Sequence, residues 1–245
     1  MHATNMTKTS KNILFLDIET VSCKATYEDL EAQLKPLWDK KALAFGKAEL
    51  EAVSKLYVEK AAIYAEFGKV IVIGLGMILD GSNNEPQLHV KAFSDHHEMA
   101  LLEKFSKFLT TEWQQSSLRL CAHNGKEFDF PYLCRRMLIH GIPLPQVLDT
   151  AGKKPWEVNH LDTMEMWRFG DKKSFTSLHL LATLFDIVSS KELMDGSQVN
   201  DYYYNKKDLA SISQYCMQDV MVTAQLFLKL NGWQTIKKEN IVFIE

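Results

Sequence analysis

Two acids separated by a single residue break the first apolar run of the chain, where Ile13-Leu14-Phe15-Leu16 leads into Asp17-Ile18-Glu19. On a strand, positions i and i+2 share a face, so these carboxylates project together. The apolar run predicts a strand over Ile13–Ile18, with the acids at its carboxyl end, where open α/β sheets place ligands. Like charges this close repel unless a proton or a cation sits between them. A divalent metal is one reading of the pair. A solvated strand end is the other.

Two further stretches carry acids in comparable settings. In Ala122-His-Asn124-Gly-Lys-Glu-Phe128-Asp129-Phe-Pro131-Tyr-Leu133, a strand runs into Asn124-Gly125, and Asp129 falls where a helix with Pro131 in its first turn should begin. Its carboxylate could simply cap that helix, but an asparagine ahead of Phe128-Asp129 is not explained by capping. In Tyr215-Cys-Met-Gln-Asp219-Val220, the tyrosine and the aspartate stand at i and i+4 on one helix face, at the edge of the apolar stripe Val220, Thr223, Leu226, Phe227 and Leu230. That pair reads as a surface contact or as part of a site.

The elements that must position these residues can be traced along the chain. Residues 1–11 read as a flexible tail, and 12–245 as a single α/β domain, with no repeat or low-complexity linker to divide it. Thr26–Gly68, rich in Glu, Lys, Ala and Leu, reads as a helical insertion (about 26–68) of two or three helices after the first strand. Strands follow at Val70–Leu79 and Gln87–Phe93, joined by Asp-Gly-Ser-Asn-Asn-Glu-Pro as a hairpin turn. A helix over Asp95–Thr111, a strand at Leu118–His123, a helix from near Phe128 to Gly141 and a short strand at His160–Thr163 come next. A short helix around Ser177–Phe185 and a long one from about Lys207 to Leu230 complete the order. The expectation is a central mixed sheet of about five strands flanked by helices.

Taken together, the motifs resemble those of the DEDDy-type (DnaQ-like) 3′–5′ exonuclease superfamily, which has an RNase H-like fold. Asp-Ile-Glu-Thr at 17–20, Asn124 to Leu133, and Tyr215 to Asp219 stand in the order of its three exonuclease motifs. The tyrosine four residues before the last aspartate marks the subclass. The second motif is similar to that of the proofreading exonuclease domain of family-B DNA polymerases, here expected as a stand-alone version, over about Ile13 to Leu230. The resemblance implies Asp17, Glu19, Asp129 and Asp219 as catalytic ligands of two divalent metal ions, Mg²⁺ or Mn²⁺. It implies Tyr215 as a catalytic partner of the attacking water. Because free tyrosine has a pKa near 10, orienting that water suits it better than acting as a base. Thr20, Asn124 and Phe128 would bind the substrate's 3′-terminal nucleotide, and Asp162 would lie behind the site. The implied activity is metal-dependent 3′–5′ hydrolysis of single-stranded DNA to nucleoside 5′-monophosphates. The alternatives are an RNase D-like exoribonuclease and, in another class, an inactive binding scaffold. The family's usual lysine one turn before the motif tyrosine is Ala210 here, so a phosphate contact from that helix would fall to Lys206 or Lys207.

Composition fits this frame without selecting it. A net charge of −3 over 245 residues gives no broad basic surface, although a carboxylate cluster is far less acidic once it holds metal. The lysine pairs 153–154, 172–173 and 206–207 read as solvated loops or as a phosphate path. Cys23, Cys121, Cys134 and Cys216 form no Cys-x-x-Cys pair and read as reduced, mostly buried thiols. The polar first residues and the longest apolar run, Val70–Leu79, fit neither a leader nor a membrane span, so a cytoplasmic protein is expected. His96-His97-Glu98 looks like a metal cluster, but adjacent residues diverge on a helix, and it reads as an exposed first turn. His123 reads as structural.

Overall fold

Strand β1 spans Ile13–Ser22, four residues longer than its apolar start predicts. In the computed structural model, which describes residues 10, 12–81, 85–112, 117–171, 173, 175–188 and 194–244, the polar end of β1 is held by its neighbour β2 (Gly68–Asp80). Their antiparallel pairing runs to Ser22↔Gly68, with a shift in register between Glu19 and Thr20. Asp17 and Glu19 therefore lie within the strand rather than at its end. The nearly continuous burial of β2 supplies the partner that the polar residues of β1 do not advertise. The expected tail, apart from Ser10, and the centre of the expected hairpin turn at 82–84 lie outside the described residues.

The insertion contains α1 (Lys35–Ala44) and α2 (Leu50–Lys60), followed by a 3₁₀ turn at Ala61–Ile63. It has a core of its own around Trp38 and Tyr57. After β2 come β3 (Pro86–Ser94), α3 (Glu98–Lys107), β4 (Arg119–Ala122) and α4 (Asp129–Ile139). The remainder comprises β5 (Leu161–Asp162), α5 (Thr163–Arg168), α6 (Leu178–Leu184), α7 (Leu209–Leu230) and β6 (Ile241–Phe243). The sheet is mixed, with six strands in the order β5-β4-β1-β2-β3-β6. The sixth, β6, is a three-residue edge strand parallel to β3 that the sequence pattern does not reveal.

Helices cover both faces. Leu14, Leu16 and Ile18 point into a core shared with α3 and α4 (Phe105, Leu133, Met137), whereas Ile13 and Phe15 meet Val220, Ala224 and Phe227 of α7. Two glycines let α7 lie close to the sheet. A Cβ at Gly74 would stand 2.8 Å from Cys216 Sγ, and one at Gly76 would stand 2.6 Å from Val220 Cγ1. The glycines that interrupt the apolar run of β2 thus set how near Tyr215 and Asp219 come to β1.

The reading of Glu98 as part of an exposed turn is corrected. His96 and His97 are exposed, but Glu98 is buried and ion-paired with Arg136 of α4, and it accepts the Val70 N–H at 2.7 Å. Arg136 also donates to Ala65 O at 2.8 Å. Three elements are thereby joined beneath the sheet end, because a buried charge persists only when it is paired and fully hydrogen-bonded.

Candidate active site

The acids gather where β1 parts from β4. Parallel pairing between these strands ends at Phe15↔Cys121. Beyond it, the Ile18 N–H donates to Asp129 Oδ1 at 3.1 Å. Asp129 is the first residue of α4, yet its carboxylate reaches across to β1 rather than serving only its own helix. Across the same stretch, α7 presents Tyr215 and Asp219 one turn apart, and the charge of Asp219 acts on the Tyr215 phenol. Asp17, Glu19, Asp129 and Asp219, which lie far apart in sequence, thus act on one another electrostatically.

Burial drives the Asp17 carboxyl well above the usual carboxylate range, and Asp219, Glu19 and Asp129 push it further in that order. Glu19 rises for the same reason, through burial and then the charges of Asp219 and Asp129. Asp129 is pushed up to about 7 by burial and by Asp162 and Asp219, against the lowering effect of its backbone hydrogen bonds. Burial and the same acids hold the Tyr215 phenol above its ordinary value, so it stays protonated as a donor. A donor set of buried, mutually repelling carboxylates fits a hard divalent cation.

The sequence gives no hint of Cys216 as a neighbour of these acids. Its thiol lies 3.4 Å from both the Asp17 backbone oxygen and Oδ2, and its Sγ with ligand atoms of Asp17 and Glu19 falls within a 4.8 Å cluster. Burial and the acids keep the thiol protonated, so it serves Asp17 as a hydrogen-bond donor. Only the close packing of α7 on Gly74 brings it there.

The expected nucleotide-binding residues occupy three different settings. Asn124 has a left-handed backbone (φ 63°), and its N–H donates to Asp162 Oδ1 at 2.9 Å. Its buried Oδ1 has no hydrogen-bond partner among the described residues, an arrangement that favours a ligand. Asp162 also receives the N–H groups of Lys126 and Met164, so it caps α5 and fixes the Asn124 loop at once. The Thr20 hydroxyl donates to Ala62 O at 2.9 Å, beside the Tyr132 hydroxyl on the same oxygen, which turns it away from the carboxylates. Phe128 is half-buried, with its ring 5.4 Å from that of Tyr132. His123 is structural, held by Thr163 Oγ1 and Thr176 O, both at 2.9 Å. Lys206 stands over the Tyr202 ring and pairs with Asp201, and Lys172 lies outside the described residues.

Comparison with known proteins gives the family. Residues 63–240 match the family described as "Predicted 3'-5' exonuclease related to the exonuclease domain of PolB". The chain belongs to that family. Its activity class is accordingly that of a 3′–5′ exonuclease. The matched span includes Asn124, Asp129, Tyr215 and Asp219 and begins after β1. Among solved structures, the family B DNA polymerase from the hyperthermophilic archaeon Pyrobaculum calidifontis superposes with a TM-score of 0.55 at 18% identity over 89% of this chain. This chain spans only 24% of that polymerase. The RNase domain of the yeast Pop2 protein aligns with a TM-score of 0.39 at 12% identity, covering 94% of this chain and 83% of the other. No curated protein matches the sequence. The α/β, RNase H-like fold implied by the motifs is thus the fold of this exonuclease. Among the described residues, no helix is long and apolar enough to cross a membrane.

Proposed function

We propose that this exonuclease removes nucleotides from the 3′ end of single-stranded DNA, releasing nucleoside 5′-monophosphates, with two Mg²⁺ or Mn²⁺ ions held by Asp17, Glu19, Asp129 and Asp219. The observation that carries the proposal is the meeting of four acids from β1, α4 and α7, three of which burial and mutual repulsion hold above the usual carboxylate range. When bound, such ions acidify a water molecule and offset charge at the scissile phosphate. The chain's own residues supply position. Tyr215, kept protonated by burial and the charge of the neighbouring acids, orients the attacking water through its hydroxyl. The buried Oδ1 of Asn124 accepts a hydrogen bond from the terminal nucleotide. Phe128 stacks or wedges against its base, whereas the Thr20 hydroxyl is engaged by Ala62 O.

The test is degradation of end-labelled single-stranded DNA and RNA with Mg²⁺ or Mn²⁺, using Asp17→Ala as control. Stepwise loss from the 3′ end of DNA, absent in the variant, is the expected result. Preferential loss of RNA would move the substrate to the RNase D-like alternative. No metal-dependent loss of either would leave a binding scaffold.

A further inference from the structure

The turn at Gly196–Gln198, upstream of α7, brings Gly196 beside the Tyr215 hydroxyl. Beyond the backbone of its own turn and its chain neighbours, a Cβ built on Gly196 has one neighbour within 4 Å among the described residues, Tyr215 Oη at 3.7 Å. The backbone of Gly196 is not left-handed, in contrast to Gly46, Gly141, Gly152, Gly170 and Gly232. Neither local conformation nor packing in the fold therefore demands a glycine here. What its hydrogen leaves open is the space beside the hydroxyl.

This turn is built to stay in place. The Asp195 side chain accepts the Ser197 N–H at 3.1 Å, and the Asp195 N–H donates to Gln198 Oε1 at 3.0 Å, which closes a reciprocal cap. Met194 and Val199, on either side, are buried in the cluster that also contains Tyr215. Asn200 then ties the segment to both β1 and the insertion. Its Oδ1 accepts the Ser22 N–H at 3.0 Å, and its Nδ2 donates to Val58 O at 2.9 Å. A side chain at position 196 would not be relieved by movement of the turn.

We infer that Gly196 is a gate residue of the nuclease site: its missing side chain keeps clear the approach to the Tyr215 hydroxyl that the attacking water and the scissile phosphate must share. The inference rests on the role proposed above for Tyr215. The capped turn forms the wall of that approach, and Asn200 is the positioning residue that fixes the wall against β1.

The experiment is a size series, Gly196→Ala, Gly196→Val and Gly196→Leu, measured for turnover on single-stranded DNA with Mn²⁺ and for thermal midpoint. Turnover should fall with side-chain size, by at least roughly tenfold at leucine, while the midpoint stays within about 2 °C of the parent protein. Turnover that is unchanged across the series, or that falls only in step with the midpoint, overturns the gate. Calorimetric binding of thymidine 5′-monophosphate with Mn²⁺ separates this inference from the nuclease reading. A parent protein that binds the nucleotide but cleaves no nucleic acid refutes the nuclease reading alone. The gate then stands if Gly196→Leu weakens that binding and falls if it does not. A parent protein that neither binds nor cleaves overturns both.

Discussion

The Ile18 N–H donates to the Asp129 carboxylate at 3.1 Å, across 111 positions of sequence. This bond takes over where the β1–β4 ladder stops, and it places an acid of α4 against the strand that carries Asp17 and Glu19. One carboxylate thus bridges the strands where their ladder ends and stands among the acids proposed to hold the metal ions.

That double role gives Asp129 a measurable pH signature. Its carboxyl titrates near 4 in the unfolded chain and at about 7 when folded. Between those values the folded state binds the extra proton, so without metal this group's contribution to stability is present below about pH 4 and lost as pH rises through 7. Asp129→Asn keeps an acceptor for Ile18 and removes the charge. In EDTA at pH 8 it should raise the thermal midpoint by roughly 3–6 °C, with the gain falling to about a third of that at pH 5 and vanishing below about pH 4. A gain of equal size at both pH values would contradict this.

Tyr215→Phe removes the hydroxyl while leaving the ring in its packing. Turnover on single-stranded DNA should drop by about tenfold or more. Affinity for DNA, measured with Ca²⁺ in place of Mg²⁺, should change by less than about threefold. Equal losses in both would make the tyrosine a binding residue instead.

Gly74→Ala places a methyl 2.8 Å from Cys216 Sγ and 2.9 Å from Val220 Cγ2. Forcing α7 outward should cost about 1–3 kcal/mol of stability and should depress turnover beyond what the loss of folded protein explains. Chemical denaturation and specific activity, measured on the same preparation, check both halves.

Asn200→Ala cuts the ties to Ser22 and Val58 O together. The expected cost is about 1–3 kcal/mol, read as a lower urea midpoint with an unchanged slope. Hydrogen exchange should rise at Ser22 and through the turn at Gly196–Gln198, and an unaltered exchange pattern would remove Asn200 from its positioning role.

What the sequence discloses and what it hides follow from the range of the interactions. Asp17, Glu19, Asp129, Tyr215 and Asp219 stand out only through the order of the three motifs, since each motif alone reads equally as a strand end, a cap or a surface pair. The helices and buried strands are legible because their apolar periods are local. The full length of β1 is hidden because Glu19, Thr20 and Ser22 look like a strand's end. They are retained by pairing with β2 some fifty residues away. Glu98 reads as solvated because its neighbours are polar, and its partner Arg136 sits on another helix. Cys216 and Gly196 have no local signal at all. Each gains its meaning only when α7 settles on the glycines of β2 and the turn at Gly196–Gln198 comes beside Tyr215.

The most direct test of the central claim, that these acids form one cation site that drives hydrolysis, is a Mn²⁺ titration by calorimetry. It would be run on the parent protein and on Asp17→Ala, with cleavage of single-stranded DNA followed at each metal concentration. The account predicts that Mn²⁺ binding and cleavage rise together in the parent and that both are lost in the variant. Cleavage that persists in EDTA, or an Asp17→Ala protein that binds Mn²⁺ and cleaves as the parent does, would contradict it.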